Sequence, residues 1–148
     1  LNRLRKVPEM RVRTTVITGF PGETEAEFEE LLRFIKEAQF DRLSGYAFSP
    51  EPGTRAFAMS EQIDKQTAQL RLHRIMKLQA RLSRARLKSM VGQNGVVLVD
   101  FPDEGRTEWD APEIDGVVRL QYKRACPGKF IRVKIVGSST YDLIADKV

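Results

Sequence analysis

Hydrophobic and polar positions change their period several times along the chain, and each change marks an element. Arg11 to Thr18 is rich in β-branched residues (Thr14, Thr15, Val16, Ile17, Thr18), which predicts a strand. Two-residue alternation puts Arg13, Thr15, Ile17 and Gly19 on one face and Thr14, Val16 and Thr18 on the other. Both faces are largely apolar or β-branched, as in a parallel strand covered on both sides. Gly19-Phe20-Pro21-Gly22 stops the strand, and Thr24 with Glu27 three positions on reads as a capping box. Phe28, Leu31, Leu32, Ile35 and Ala38 then recur at helical spacing as far as about Gln39. A second strand is expected over about Arg42–Phe48, completing a strand–helix–strand unit. The turn after it, Ser49–Thr54, should share a rim with Gly19–Gly22, where α/β folds bind ligands.

A long helix follows from about Asp64, a candidate N-cap, to Ser89. Leu70, Ile75, Leu78, Leu82 and Ala85 lie near one face of it. Arg74, Lys77, Arg81, Arg84 and Lys88 form a basic stripe on another, read either as a solvated face or as a contact for RNA or an acidic surface. Gly92 closes the helix and the pattern changes. Short strands are expected at Val96–Phe101, Arg106–Trp109, Gly116–Tyr122, Phe130–Val136 and Tyr141–Asp146, which argues for a small five-stranded β-barrel. The fold class is therefore α/β followed by all-β.

A length of 148 residues suits one ordinary domain or two small ones. No apolar run approaches the roughly 20 residues of a membrane-spanning helix, and no signal-peptide pattern is present. The single cysteine, Cys126, excludes an internal disulfide framework and fits a reducing cytoplasm. One cysteine and one histidine do not make a zinc or iron–sulfur site. The net charge of +5 is uneven: residues 1–90 carry 17 Lys and Arg against 11 Asp and Glu, residues 91–148 carry 8 against 9. Any nucleic-acid contact by charge belongs to the first part. Leu1–Lys6 reads as the end of a helix broken at Val7-Pro8. With no initiator methionine, the chain is expected to be a piece of a longer protein.

The order of GFPGET (Gly19–Thr24), YAFSPEPGT (Tyr46–Thr54), a long basic helix and GRTEWDAPEIDG (Gly105–Gly116) resembles the radical S-adenosylmethionine methylthiotransferases. The resemblance covers essentially the whole chain. It implies the last part of a radical-enzyme (β/α) barrel over residues 1–91, then a TRAM β-barrel over 92–148. APEIDG (Ala111–Gly116) resembles the RimO-type branch, which acts on an aspartate of protein twelve of the small ribosomal subunit. The alternatives are a MiaB-like tRNA enzyme and a non-enzymatic RNA-binding module. The resemblance also implies S-adenosyl-L-methionine and two 4Fe-4S clusters as cofactors. The cluster cysteines of the family are missing from this chain, so the chain alone is expected to be inactive. Cys126 matches no ligand position.

The same resemblance places Ile17 against the adenine, on a face shared with Arg13, with Gly19 and Gly22 allowing close backbone approach and Phe48 and Ser49 at the other adenine-side turn. Read as ordinary residues, Ile17 is core and the glycines serve the turn. Arg13 points into a polar lumen or lies at an exposed strand start, since an unpaired buried charge is costly. Asp103, Glu104, Glu108 and Asp110 form an acidic rim, suited to a basic ribosomal-protein substrate or simply to solubility. Trp109, Tyr122, Phe130 and Tyr141 are read as barrel core, or else as stacking partners for RNA beside Arg119, Lys123 and Arg124. His73 is assigned no role. The basic helix is a candidate contact for ribosomal RNA, no membrane partner is expected, and oligomeric state is left open.

Overall fold

The structure, a computed structural model, describes residues 6–7, 10–122 and 124–148. Of the helix end expected at Leu1–Lys6, only Lys6 is among them, and Lys123 is not. The chain divides into two compact units, residues 1–79 and 80–148.

In the first unit, β1 (Arg13–Thr18) and β2 (Arg42–Ala47) pair in parallel, connected by α1 (Glu25–Ala38). The register sets Arg13 beside Arg42, Thr15 beside Ser44 and Ile17 beside Tyr46. Asp41, largely buried, fastens the start of the sheet: its carboxylate accepts from the Val12 amide at 2.7 Å, and its own amide donates to the Val12 carbonyl. The capping box of α1 forms as the sequence predicts, Glu27 N–H donating to Thr24 Oγ1 and Thr24 N–H to Glu27 Oε2. Phe28 and Ile35 are the fully buried residues of that helix.

A 3-10 turn (Ala56–Ala58) leads to α2 (Lys65–Ser89), where Asp64 Oδ1 accepts from the Thr67 amide as an N-cap does. Its buried line differs from the expected one. Leu70 is 58% exposed, and the line in the first unit is Ala68, Arg71, Ile75 and Gln79. The reason is the sheet surface α2 meets, which is made of glycine. A Cβ on Gly19 would sit 2.4 Å from Ala68 Cβ, and one on Gly45 would sit 2.7 Å from Leu72 Cδ1. Only the helix face carrying Ala68 and Leu72 fits so closely.

A second correction concerns β1, which is covered on one face only among the described residues. Val16 and Gly45 lie near Met76 and Leu72, whereas Arg13, Thr15 and Ile17 are exposed, as is Tyr46.

In the second unit the strands are β3 (Asn94–Phe101), β4 (Glu104–Arg106), β5 (Val118–Leu120), β6 (Phe130–Ser138) and β7 (Leu143–Lys147). They close as β3-β4-β5-β7-β6, with β5 and β7 parallel. Closure removes the exposed edges that a small sheet would otherwise present. Val97, Val99, Val118, Leu120, Val133, Ile135, Leu143 and Ala145 fill the interior, and Leu87 from the end of α2 joins them. Ser83 on the same helix end donates to the Thr140 carbonyl at 2.7 Å.

Two expectations for the barrel are overturned. The strand predicted at Arg106–Trp109 lies at Glu104–Arg106 instead, because Pro102-Asp103 turns the chain early and Asp110 binds Thr107–Trp109 into a turn of its own. The aromatics read as core are largely outside it. Phe130 is 73% exposed, Tyr122 and Tyr141 are exposed, and Trp109 is half-buried. The interior of so small a barrel is filled by aliphatic side chains alone, leaving no volume for rings.

This core assignment predicts opposite outcomes for two substitutions. Gly105→Ala would put a Cβ 2.4 Å from the Leu98 carbonyl oxygen and 2.6 Å from Val97 Cγ1. It should cost about 1–3 kcal/mol by overpacking, whereas Phe130→Ala should stay within about 0.5 kcal/mol of wild type. Urea unfolding followed by Trp109 fluorescence measures both.

Candidate functional site

The two turns at the carboxyl ends of β1 and β2 come together as one edge. The Phe48 amide donates to the Thr18 carbonyl at 2.8 Å, and the Phe20 and Phe48 rings meet edge-on with centroids 5.3 Å apart. Thr18 is fully buried, and its hydroxyl is satisfied by the Ala68 carbonyl of α2 at 3.0 Å. Phe48 is half-buried and Ser49 exposed.

Gly19 and Gly22 both have positive φ, +74° and +86°. The Gly22 amide donates to the Glu61 carbonyl at 2.8 Å, and the Gly19 amide donates to Glu23 Oε2 at 2.7 Å. Gly19 is thus required twice over, by its backbone conformation and by Ala68 packed against it.

Glu23, whose side chain is 13% exposed, is held by Arg71 on α2. Arg71 Nη1 donates to Glu23 Oε2 at 2.7 Å and to the Glu23 carbonyl at 3.0 Å, and Nη2 donates to Glu25 Oε2 at 3.1 Å. Arg74 continues the cluster to Glu25 and Glu29, and both guanidiniums lie over the Phe28 ring at 5.3 and 4.8 Å. The hydrogen bond from Arg71, followed by that from Arg74, holds the Glu25 carboxyl below its ordinary range against the opposing effect of desolvation. For Arg71 itself burial works to lower the pKa, but bonds to Glu23 and Glu25 outweigh it and raise it. The two carboxylates compensate the guanidinium for the water it loses on burial.

On the bare face of the sheet, Ile17 (53% exposed) and Tyr46 (61% exposed) stand side by side beneath this edge. Arg13 is on the same face but four residues back, about 13 Å along the strand. A ligand touching both Arg13 and the turn must be extended along the strand.

In the barrel, Asp103 and Glu108 are exposed and Glu104 is half-buried in β4. Asp110 is engaged by its own loop, its Oδ2 accepting from the Thr107 amide and hydroxyl at 3.1 and 2.6 Å. Asp115 likewise accepts from the Ala111 amide at 2.7 Å, leaving Ile114 at the loop tip, 72% exposed. On α2, Arg74 belongs to the acidic cluster and Arg84 donates to Thr140 Oγ1, while Lys77, Arg81 and Lys88 are exposed. Cys126 is exposed, and no group of three or more His, Cys, Asp or Glu side chains able to hold a metal occurs among the described residues. No helix among them is long and apolar enough to cross a membrane.

The β-barrel is a TRAM domain, whose family model matches residues 91–148. Over the full chain, the uS12 methylthiotransferase RimO of Cellvibrio japonicus is 44% identical across 99% of the chain and 34% of that relative. Those of Anaeromyxobacter sp. and Escherichia coli O1:K1 / APEC are 43% and 41% identical, across 100% of the chain in each case. Over its full length the chain is similar to these RimO methylthiotransferases, and it spans about a third of their length.

Sequence reasoning missed Tyr46, Phe20 and the Arg71–Glu23 pair. Parallel pairing of β1 with β2 in register would have set Tyr46 beside Ile17. Arg71, three residues after Ala68 and four before Ile75, lies on the buried line once Ala68 is recognised as its start, within reach of a helix start rich in glutamate.

The caps at this edge carry a pH signature. Hydrogen bonds from the Thr24 amide and then its hydroxyl lower the Glu27 pKa below its ordinary 4.5, and Glu25 is lowered too. Their contribution is complete above about pH 4.5 and is lost as pH falls through the depressed folded values. Thr24→Ala should cost about 1 kcal/mol at pH 7 and flatten the acid limb of a thermal-unfolding profile. An acid limb unchanged in that variant would contradict the assignment.

Proposed function

We propose that the intact protein containing this chain is a radical S-adenosyl-L-methionine methylthiotransferase that modifies an aspartate of a small-subunit ribosomal protein, in the cytoplasm. The carrying observation is that RimO methylthiotransferases match the chain at 40–44% identity from end to end. In this reading residues 1–91 are the last segment of the catalytic (β/α) barrel and 92–148 the TRAM domain. Ile17, with Tyr46 beside it, packs on the adenine, and the Gly19–Gly22 and Phe48–Ser49 turns enclose the nucleoside. Arg13, farther along the strand, meets the other end of the ligand or the substrate. The bare apolar and hydroxyl-bearing strand face supports this assignment, because such a surface binds a planar base without displacing a packed core.

Two 4Fe-4S clusters would supply the reduction of S-adenosylmethionine and the sulfur. The donor set of this chain does not fit them: Cys126 is alone, and no metal-holding group occurs among the described residues. Their ligands belong elsewhere in the intact protein, and the chain alone is inactive. What this chain contributes is positioning: a wall for the nucleoside and a barrel for the client protein. Exposed Asp103 and Glu108, with Glu104 and Asp110 behind them, offer a basic client an acidic loop. Exposed Lys77, Arg81 and Lys88 on α2 suit a contact with ribosomal RNA.

A second reading rests on Phe130, which is exposed between Lys129 and Arg132, and on Lys147 over the Tyr122 ring at 5.1 Å. Aromatic rings beside cations stack on RNA bases, as a MiaB-like tRNA enzyme or a plain RNA-binding module would require. Incubating the intact, cluster-loaded protein with S-adenosylmethionine and either the ribosomal protein or tRNA separates the readings. A methylthio group found by mass spectrometry on an aspartate, and none on tRNA, is the expected result. Modification of tRNA alone would overturn it.

A further inference from the structure

At the candidate edge a largely buried ion pair joins the turn to α2, the Arg71 and Glu23 side chains being 8% and 13% exposed. Glu23 Oε2 takes two donors at once, the Gly19 amide and Arg71 Nη1, each at 2.7 Å. Arg71 also holds the Glu23 carbonyl at 3.0 Å, so one guanidinium grips the side chain and the main chain of the same residue. The stretch from Gly19 to Glu23 holds two residues in left-handed conformation, Gly19 and Gly22, and its other main-chain ties among the described residues are Glu23 to Phe20 and Gly22 to Glu61. Glycines have the widest choice of backbone conformations, so a turn built on two of them needs an external clamp to keep one path.

The clamp comes from α2, which is fixed against the same turn by Ala68 on Gly19 and by the Thr18 hydroxyl on the Ala68 carbonyl. Arg71 stands one helical turn beyond Ala68. The helix thus presses on the start of the turn with a methyl group and pulls on its end with a guanidinium.

We propose that Arg71 is a positioning residue for the nucleoside: acting through Glu23, it sets the path of the Gly19–Gly22 backbone and thereby the affinity of that edge for S-adenosylmethionine. This rests on the reading of the edge as the adenosine wall. Lys at this position carries the charge on one nitrogen in place of two, so it restores the contact to Glu23 made by Nη1 and not the simultaneous bond to Glu25 made by Nη2.

The test uses the intact protein. S-adenosylhomocysteine binding is measured by calorimetry, and amide hydrogen exchange at Gly19 is measured without ligand. Arg71→Ala should weaken binding on the order of tenfold, since displacement of a contact shell by an ångström or less has effects of that size. It should also speed exchange at Gly19 more than at the centre of α1 around Leu32, and Arg71→Lys should recover part of both. Equal acceleration at Gly19 and Leu32, with binding unchanged, would reduce Arg71 to a structural ion pair and overturn the proposal. If Arg71→Ala does not fold, Glu23→Gln takes its place, keeping an acceptor for Gly19 while removing the charge that Arg71 grips. The same outcomes then decide. Ile17→Ala separates the two claims: loss of binding there with none in the Arg71 variant rejects the clamp alone, and no loss in Ile17→Ala rejects the adenosine wall.

Discussion

The first unit depends on a buried arginine meeting a carboxylate. Removing either partner of such a pair leaves an uncompensated charge and costs about 3–5 kcal/mol, a large share of the stability of a small domain. Arg71 and Glu23 are both largely shielded, and the carboxylate is simultaneously the acceptor for the Gly19 amide. The pair therefore couples the end of β1 and the start of α1 to the first turns of α2, which lie more than 40 residues further along the chain. Around it the rest follows. Ala68 fits against Gly19, Leu72 against Gly45, and the Phe28 ring lies under two guanidiniums.

That packing has a consequence for function. With α2 occupying the Val16 and Gly45 face of the sheet, the other face is left for something else, and the residues on it are of a different kind. Ile17 and Tyr46 are apolar or aromatic, and Thr15 and Ser44 carry hydroxyls. Such a face is expected where a ligand, rather than a helix, completes the covering. The barrel solves its own problem separately. It closes through β6 and β3, fills with aliphatic side chains, and turns its rings outward, where they are available to a partner.

Much of this was legible in the sequence where the signal is local. The capping box at Thr24 and Glu27, the stop at Gly19–Gly22, the start of α2 at Asp64 and a five-stranded barrel all follow from neighbours a few residues apart. The failures are those of long-range packing. Leu70 looked like core because it is leucine, but α2 turns its small residues toward a glycine surface that periodicity does not reveal. Trp109, Tyr122, Phe130 and Tyr141 looked like core because they are large, but the interior volume is set by the number of strands. Arg71 was hidden among other arginines, and its burial beside Glu23 is what distinguishes it from the exposed basic stripe. For the candidate site, the positions of Ile17, Gly19, Gly22, Phe48 and Ser49 at one edge could be expected from strand order, whereas Tyr46 needed the register.

The claim on which this account turns is that the edge formed by the β1 and β2 turns is one wall of an S-adenosylmethionine site. The most direct measurement is residue-resolved hydrogen exchange of the intact protein with and without S-adenosylmethionine. The account predicts slowed exchange at Gly19, Phe20, Gly22, Phe48 and Ser49, with the barrel strands β3 (Asn94–Phe101) and β6 (Phe130–Ser138) unaffected. Ligand protection confined to the barrel, or absent from both turns, would contradict it.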